Sequence, residues 1–207
     1  MRHIIFGGDG FVGRHLAPMI AADGHEVVVA DIVKSPLPHY GNVRFVQCDV
    51  TDQQSVFAVG INADDMIYNL SAKMLSPIQV RAKRHDFFFP VNYHGTVHII
   101  EAMARAGADR LVHFTTDMIY GHTIHHPMTE DHPVAPLGEY GLSKWKTEEL
   151  AAEWRKEGMR ISLFFAAFSI IVTYFLAPFI LRASMHNASN VEMALQFLKI
   201  RIWGLPF

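Results

Sequence analysis

Apolar residues fall in short runs, separated by longer stretches in which apolar positions recur every three or four residues. Short runs bounded by glycine, proline or acidic residues read as buried strands, and the longer recurrences as amphipathic helices. Strands are predicted at His3–Phe6, Glu26–Asp31, Val43–Gln47, Met66–Leu70, Leu111–Thr115 and Arg160–Phe164. Helices are predicted at about Phe11–Ala22, Asp52–Val59, Asp86–Ala106 and Glu139–Lys156. Alternation of this kind produces an α/β fold, a doubly wound parallel sheet covered by helices on both faces. No repeat, low-complexity segment or Gly/Ser linker divides residues 1–163, which are expected to form one domain.

The pattern changes abruptly after that. Residues 1–160 carry 34 charged side chains, whereas residues 161–207 carry only Arg182, Glu192, Lys199 and Arg201. Between Arg160 and Arg182 lie 21 consecutive uncharged residues, about the roughly 20 that a bilayer-spanning helix needs. Residues 164–207 are therefore an atypical apolar tail with three candidate explanations. Residues 164–181 could anchor the domain in a membrane, or the tail could pack on the sheet as its final strand and helix. A shift of coding frame near Leu163 accounts best for the simultaneous loss of charge and of recognisable motifs.

A formal net charge of −2 in 207 residues gives no basic footprint for nucleic acid, so a small molecule is the expected partner. The single Cys48 forbids an internal disulfide and points to a reducing, cytoplasmic setting. The apolar part of Met1–Phe6 is too short for a signal peptide.

Candidate chemistry begins where the first strand ends. Gly7, Gly10 and Gly13 have the G-x-x-G-x-x-G spacing of a tight strand-to-helix turn, in which backbone N–H groups can receive a pyrophosphate. Asp31, at the end of the second strand, would accept the ribose hydroxyls of an adenosine and repel a 2′-phosphate, favouring NAD over NADP, although Lys34 nearby weakens that preference. Asp49 ends the third strand, where it could reach an adenine edge or cap the segment starting at Thr51. Tyr140 and Lys144 are four residues apart at the start of a helix and share one face, so an ammonium beside the phenol would favour its ionised form. Thr115, Thr116 and Asp117 stand at the exit of the fifth strand, the edge where open parallel sheets place their sites. His122, His125, His126 and His132 crowd one loop; no cysteine accompanies them, a polar loop explains them, and no metal is expected. Lys73, Arg81, Lys83 and Arg84 form a basic loop that reads as solvated.

Taken together, GGDGFVG, Asp31, Asp49, Asn69-Leu70-Ser71-Ala72, FFPVNYHGTVHIIEAM, TTDMIYG and YGLSK resemble the extended short-chain dehydrogenase/reductases, specifically the NAD-dependent epimerase/dehydratase family acting on nucleotide sugars. The resemblance spans roughly Met1–Leu163 and implies a Rossmann-like domain. It implies that Gly7, Gly10 and Gly13, with Phe11 and Val12 between them, cradle the pyrophosphate and that Asp31 holds the ribose. Asp49 and Val50 would flank adenine, and Leu70, Ser71 and Ala72 would line the nucleotide. Asn92 matches a structural, relay-like asparagine of the central helix that is counted with the cofactor site. Thr116, Tyr140 and Lys144 match the catalytic triad: hydroxyl positioning, general acid/base, and lowering of the tyrosine pKa with a contact to the nicotinamide ribose. Phe6 stands where the family usually has Thr, and Met118 where its sugar dehydratases have Glu. The family also implies a homodimer through the helices at Asp86–Ala106 and Glu139–Lys156. Its substrate domain, which follows an Arg-Pro pair, has no counterpart after Leu163. The reading is a sugar-nucleotide epimerase/dehydratase, in truncated form. The alternative is a non-catalytic NAD-binding or membrane-attached interaction protein.

Overall fold

A computed structural model describes residues 1–36, 38–39, 41–74, 83–184, 192 and 195. Its elements are β1 (Arg2–Phe6), α1 (Phe11–Ala22), β2 (Glu26–Asp31), β3 (Val43–Gln47), α2 (Gln53–Ala58), β4 (Met66–Asn69), α3 (Arg84–Phe89), α4 (Gly95–Ala106), β5 (Arg110–His113) and α5 (Gly138–Ser184). The five strands form one sheet in the order β3-β2-β1-β4-β5, and every neighbouring pair is parallel.

The central strands are apolar because both of their faces are covered. Ile4, Ile5, Phe6, Val27, Val28, Val29 and Ile67 have no exposed surface. One face is filled by α1, whose Ala17 and Ile20 join Ile5, Val27 and Val29 in a single cluster. At the opposite end of β1 from the glycine turn, Arg2 makes a paired contact with Asp65, through Nε at 3.0 Å and Nη2 at 2.6 Å. Nη2 also donates to the carbonyl of Gly60, tying the start of β1 to the turn that feeds β4.

Sequence order reverses at β1. The chain proceeds outward through β2 and β3, then returns to add β4 and β5 on the other side. Loops leaving the carboxyl ends of β1 and β4 therefore diverge, and the crevice between them is where open α/β sheets bind ligands.

Three differences from the predicted elements matter for the site. The helix expected over Asp86–Ala106 starts at Arg84 and is interrupted by a π-helical turn at Pro90–His94. Pro90 has no N–H to sustain the regular pattern, and such a turn re-aims side chains; here Asn92 is buried. Strand β5 ends at His113, so Thr115 and Thr116 lie in the loop beyond it. The sixth strand expected at Arg160–Phe164 does not form: those residues continue α5. A short apolar run suits either state by periodicity alone, and no proline stands between Pro136 and Pro178 to stop the helix.

The chain divides into two compact units, Met1–Ala152 and Glu153–Phe207. In the second, Phe164, Phe168, Ile171, Phe175 and Phe179 are exposed on the helix, with the rings of Phe164 and Phe168 stacked 6.4 Å apart. Among the described residues no helix is long and apolar enough to cross a membrane.

Ile67 is fully buried at the centre of the sheet, so Ile67→Ala should cost about 2–5 kcal/mol. Urea unfolding would show a lower midpoint at unchanged slope; an unshifted midpoint would contradict the placement of β4.

Candidate active site

The crevice at the switch point is a cleft of about 270 Å³ lined by Gly7 and Gly10 after β1, Asp31 and Ile32 after β2, Cys48, Asp49 and Val50 after β3, Leu70, Ser71 and Ala72 after β4, and Val91. Gly7 has φ +71°, and a Cβ there would lie 2.8 Å from the Ser71 nitrogen. Glycine is needed both for the turn and for the approach of the β4 exit. Gly13 faces inward instead: a Cβ would lie 2.5 Å from Gly8 Cα, so this glycine lets α1 pack directly under the turn. Phe11 is 83% exposed, and Val12 is exposed as well; neither lines the cleft. Of the residues matched to the cofactor, Gly13, Phe11, Val12, Asn92, Tyr140 and Lys144 are not part of this wall.

Asp31 is fixed by backbone donors. Its Oδ2 accepts from Asp9 N at 2.9 Å, and Oδ1 faces Val33 N at 3.4 Å. Asp49 lies at the cleft, but the cap of the following helix is Asp52, through Gln54 N. The Asp49 Oδ1 accepts from Thr51 N and Thr51 Oγ1. Cys48 and Ile32 are wall residues that carry no motif, and Val91 lies within the FFPVNYHGTVHIIEAM stretch without being singled out by it; the fold brings all three to the wall. Burial pushes the Cys48 thiol up to about 11, leaving it protonated and unreactive at neutral pH.

A polar spine runs beneath the cleft to α5. Ser71 N and the Thr96 hydroxyl both meet the Asn69 side chain, at 3.1 and 3.0 Å. Asn69 Nδ2 also faces His113 Nδ1 at 3.4 Å. Thr147 Oγ1 donates to the Lys144 carbonyl at 2.6 Å, so it accepts from His113 Nε2 at 2.8 Å, which assigns His113 the Nε2–H tautomer. Burial, with the Lys144 charge adding to it, pushes His113 down to about 4, and the ring is neutral. Asn92 forms a second tie. Its Oδ1 accepts from Lys73 N at 2.7 Å, and its Nδ2 donates to Ser143 Oγ at 2.9 Å. The β4 exit and the first turns of α5 are thus held in register by the partnered side chains of Asn69, Asn92, Thr96, Ser143 and Thr147.

On α5, Tyr140 is half-buried against the Phe88 ring at 5.6 Å, and Lys144 is 3% exposed. Thr116 is the neighbour that opposes the upward shift of the Tyr140 phenol; Thr116 Oγ1 lies 3.3 Å from Asp117 Oδ1. Thr115 instead bonds Glu148. The expected electrostatics are reversed. Burial raises the Tyr140 phenol, the Thr116 hydrogen bond opposes the rise, and the Asp117 charge adds to it. Lys144 does not lower the phenol: its own ammonium is pushed down to about 8 by burial, against the attraction of Glu148. The physical reason is desolvation, which disfavours both charged forms in this dry corner.

The histidine loop is structural at His132, which is buried; its Nε2 accepts from Ile124 N at 3.1 Å, and Nδ1 donates to the Pro133 carbonyl. No group of three metal-ligating side chains is found among the described residues. Most of the basic loop at Lys73–Arg84, including Arg81, lies outside the described residues.

With the cleft, the switch point and the paired hydroxyls established, comparison with known proteins is decisive. Residues 3–198 match the profile of the NAD dependent epimerase/dehydratase family.

The chain belongs to this family.

The match continues past Leu163 into the tail. A UDP-glucose 4-epimerase of Mycolicibacterium smegmatis is 30% identical over 70% of this chain and 48% of its own length. A dTDP-glucose 4,6-dehydratase of Streptomyces niveus is 28% identical over 75% of this chain and 50% of its own. Among solved structures, an Agrobacterium tumefaciens short-chain dehydrogenase/reductase superfamily protein with bound NAD superposes with TM-score 0.63 and 28% identity, over 72% of this chain and 44% of its own. The chain spans about half the length of the curated relatives it matches.

Burial of Lys144 has a measurable consequence. The unfolded chain keeps this proton up to about pH 10.5 and the folded chain loses it near 8, so the folded state carries a penalty below pH 8 that is relieved as pH rises toward 10.5. Lys144→Met should therefore raise stability by about 1–3 kcal/mol at pH 7, with the advantage gone near pH 10.5. Urea titrations at the two pH values check the sign.

Proposed function

We propose that this chain binds NAD in the switch-point cleft and carries the cofactor-binding and proton-transfer half of a sugar-nucleotide epimerase/dehydratase. The observation that carries the reading is the cleft itself. The glycine turn leaves room at Gly7 and Gly10, Asp31 is held by backbone donors at the strand end, and the buried Ser71 hydroxyl on the wall has no hydrogen-bond partner among the described residues. A dinucleotide would satisfy that hydroxyl. When bound, NAD supplies the acceptor for a hydride leaving a sugar carbon.

The chain's own groups then have separable roles. The backbone around Gly7 and Gly10 receives the pyrophosphate at the start of α1. Asp31 accepts the ribose hydroxyls, and Asp49 and Val50 border the adenine. Tyr140 takes the proton of the sugar hydroxyl as general base and returns it as general acid. Its phenol starts above its ordinary value, with Thr116 opposing the rise, and Lys144, pushed down to about 8, holds its own proton weakly enough to exchange near neutrality. The relatives' names favour UDP- and dTDP-linked sugars as the substrate class, and a cytoplasmic homodimer is the expected assembly.

Calorimetric titration of the full chain with NAD and with NADP tests the first step. Saturable NAD binding that weakens about 10–100-fold in Asp31→Ala is expected, the scale of one charge-assisted contact. Tyr140→Phe should spare that binding while reducing NADH formation with UDP-glucose or dTDP-glucose by at least about 10²-fold. NAD binding with no hydride transfer from either sugar nucleotide would favour the non-catalytic reading.

A further inference from the structure

Next to Asp31 lies a charged cluster that the reading above does not use. Asp9, the third residue of the glycine turn, has a side chain only 2% exposed. Its Oδ2 accepts from Ser35 N at 2.8 Å, so it fastens the loop leaving β2 onto the loop leaving β1. His39 Nε2 stands 3.3 Å from Asp9 Oδ1 and Arg14 Nε 3.6 Å from it. The Asp9 backbone N–H is the donor that holds Asp31. Arg14 Nη2 is buried without a hydrogen-bond partner among the described residues. A carboxylate this dry is stabilised by a neighbouring cation, and here it meets Arg14 and contacts His39 while the Asp9 backbone N–H holds Asp31.

This location gives the cluster a specific consequence. A 2′-phosphate on a ribose held by Asp31 would meet that carboxylate, which the Asp9 N–H joins to the cluster of Arg14 and His39. Arg14 and His39 are the side chains that would bind it. The Asp9 carboxyl pairs with Arg14 and contacts His39, and it stands beside Asp31 as a second acid. We propose that Asp9 is a second determinant of cofactor choice: it sequesters Arg14 and His39 and so keeps a latent 2′-phosphate site closed. The inference rests on the NAD reading of the cleft. It makes Asp9 a positioning residue, acting through Arg14 and His39 rather than by contact with NAD.

The test is calorimetric titration of the full chain with NAD and with NADP, read as the ratio of the two affinities. Asp9→Asn keeps the acceptor for Ser35 N and removes the charge. It should shift the ratio toward NADP by about tenfold or more, and Arg14→Met in the same chain should cancel the shift. A purely structural role would weaken both nucleotides alike and leave the ratio where it was, which overturns the inference. A second comparison avoids altering Asp9: Asp31→Asn against Asp31→Asn with Arg14→Met. Loss of NADP affinity with Arg14, at little cost to NAD, supports the proposal; equal NADP affinity in the two chains overturns it. Wild-type protein that binds neither nucleotide overturns the NAD reading and this inference together, whereas NAD binding with an unmoved ratio overturns the inference alone.

Discussion

A parallel sheet covered on both faces has no room for polar side chains except at its ends, and in this chain nearly everything chemical is a consequence of that constraint. β1, β2 and β4 are apolar along most of their length. Polar groups collect where the strands exit: Gly7 and Asp9 after β1, Asp31 at the end of β2, Asp49 after β3, Asn69 and Ser71 at β4. The reversal of strand order beside β1 separates two of those exits and opens the cleft. A ligand there meets backbone N–H groups and short polar side chains against apolar walls, the combination that fixes orientation while excluding water.

Buried polar groups at such an edge are tolerable only when each is answered. The spine from Asn69 through His113 and Thr147 to the Lys144 carbonyl satisfies this condition with a defined proton order. A neutral imidazole donates from Nε2 and accepts at Nδ1, so the whole path is directional. That order depends on His113 staying uncharged, which burial and the neighbouring Lys144 ensure. The arrangement also places the first turns of α5, through Ser143 and Thr147, against the β4 and β5 exits, so the position of Tyr140 is set by hydrogen bonds as well as by apolar packing. Structure and electrostatics are coupled here: the same burial that orders the spine makes the Lys144 cation expensive.

How much of this was legible differs by element. The strand-turn-helix unit at β1 and α1 was readable because an apolar run, three spaced glycines and an amphipathic recurrence agree locally. Asp31 was readable because it ends a second apolar run at a characteristic distance. Asp9 was not: within the glycine turn it looks like a loop residue, and its burial exists only once the β2 exit folds over it. The π-helical turn at Pro90–His94 was missed because a single register change leaves no mark on periodicity. The strand expected at Arg160–Phe164 was misread because short apolar runs suit strand and helix equally, and the backbone there continues α5.

By itself the sequence determined the α/β alternation, the glycine turn, the acid at the end of β2 and the pairing of Tyr140 with Lys144 on one helical face, since all of these are set by spacings within a few residues. Tertiary structure decided which polar groups are dry. It brought Cys48, Val91 and Ser71 to one wall, joined Asp9 to Arg14 and His39, and reversed the expected electrostatics of Tyr140 and Lys144. Protonation depends on the solvent left around a group after distant segments have packed, and local spacing carries no measure of that.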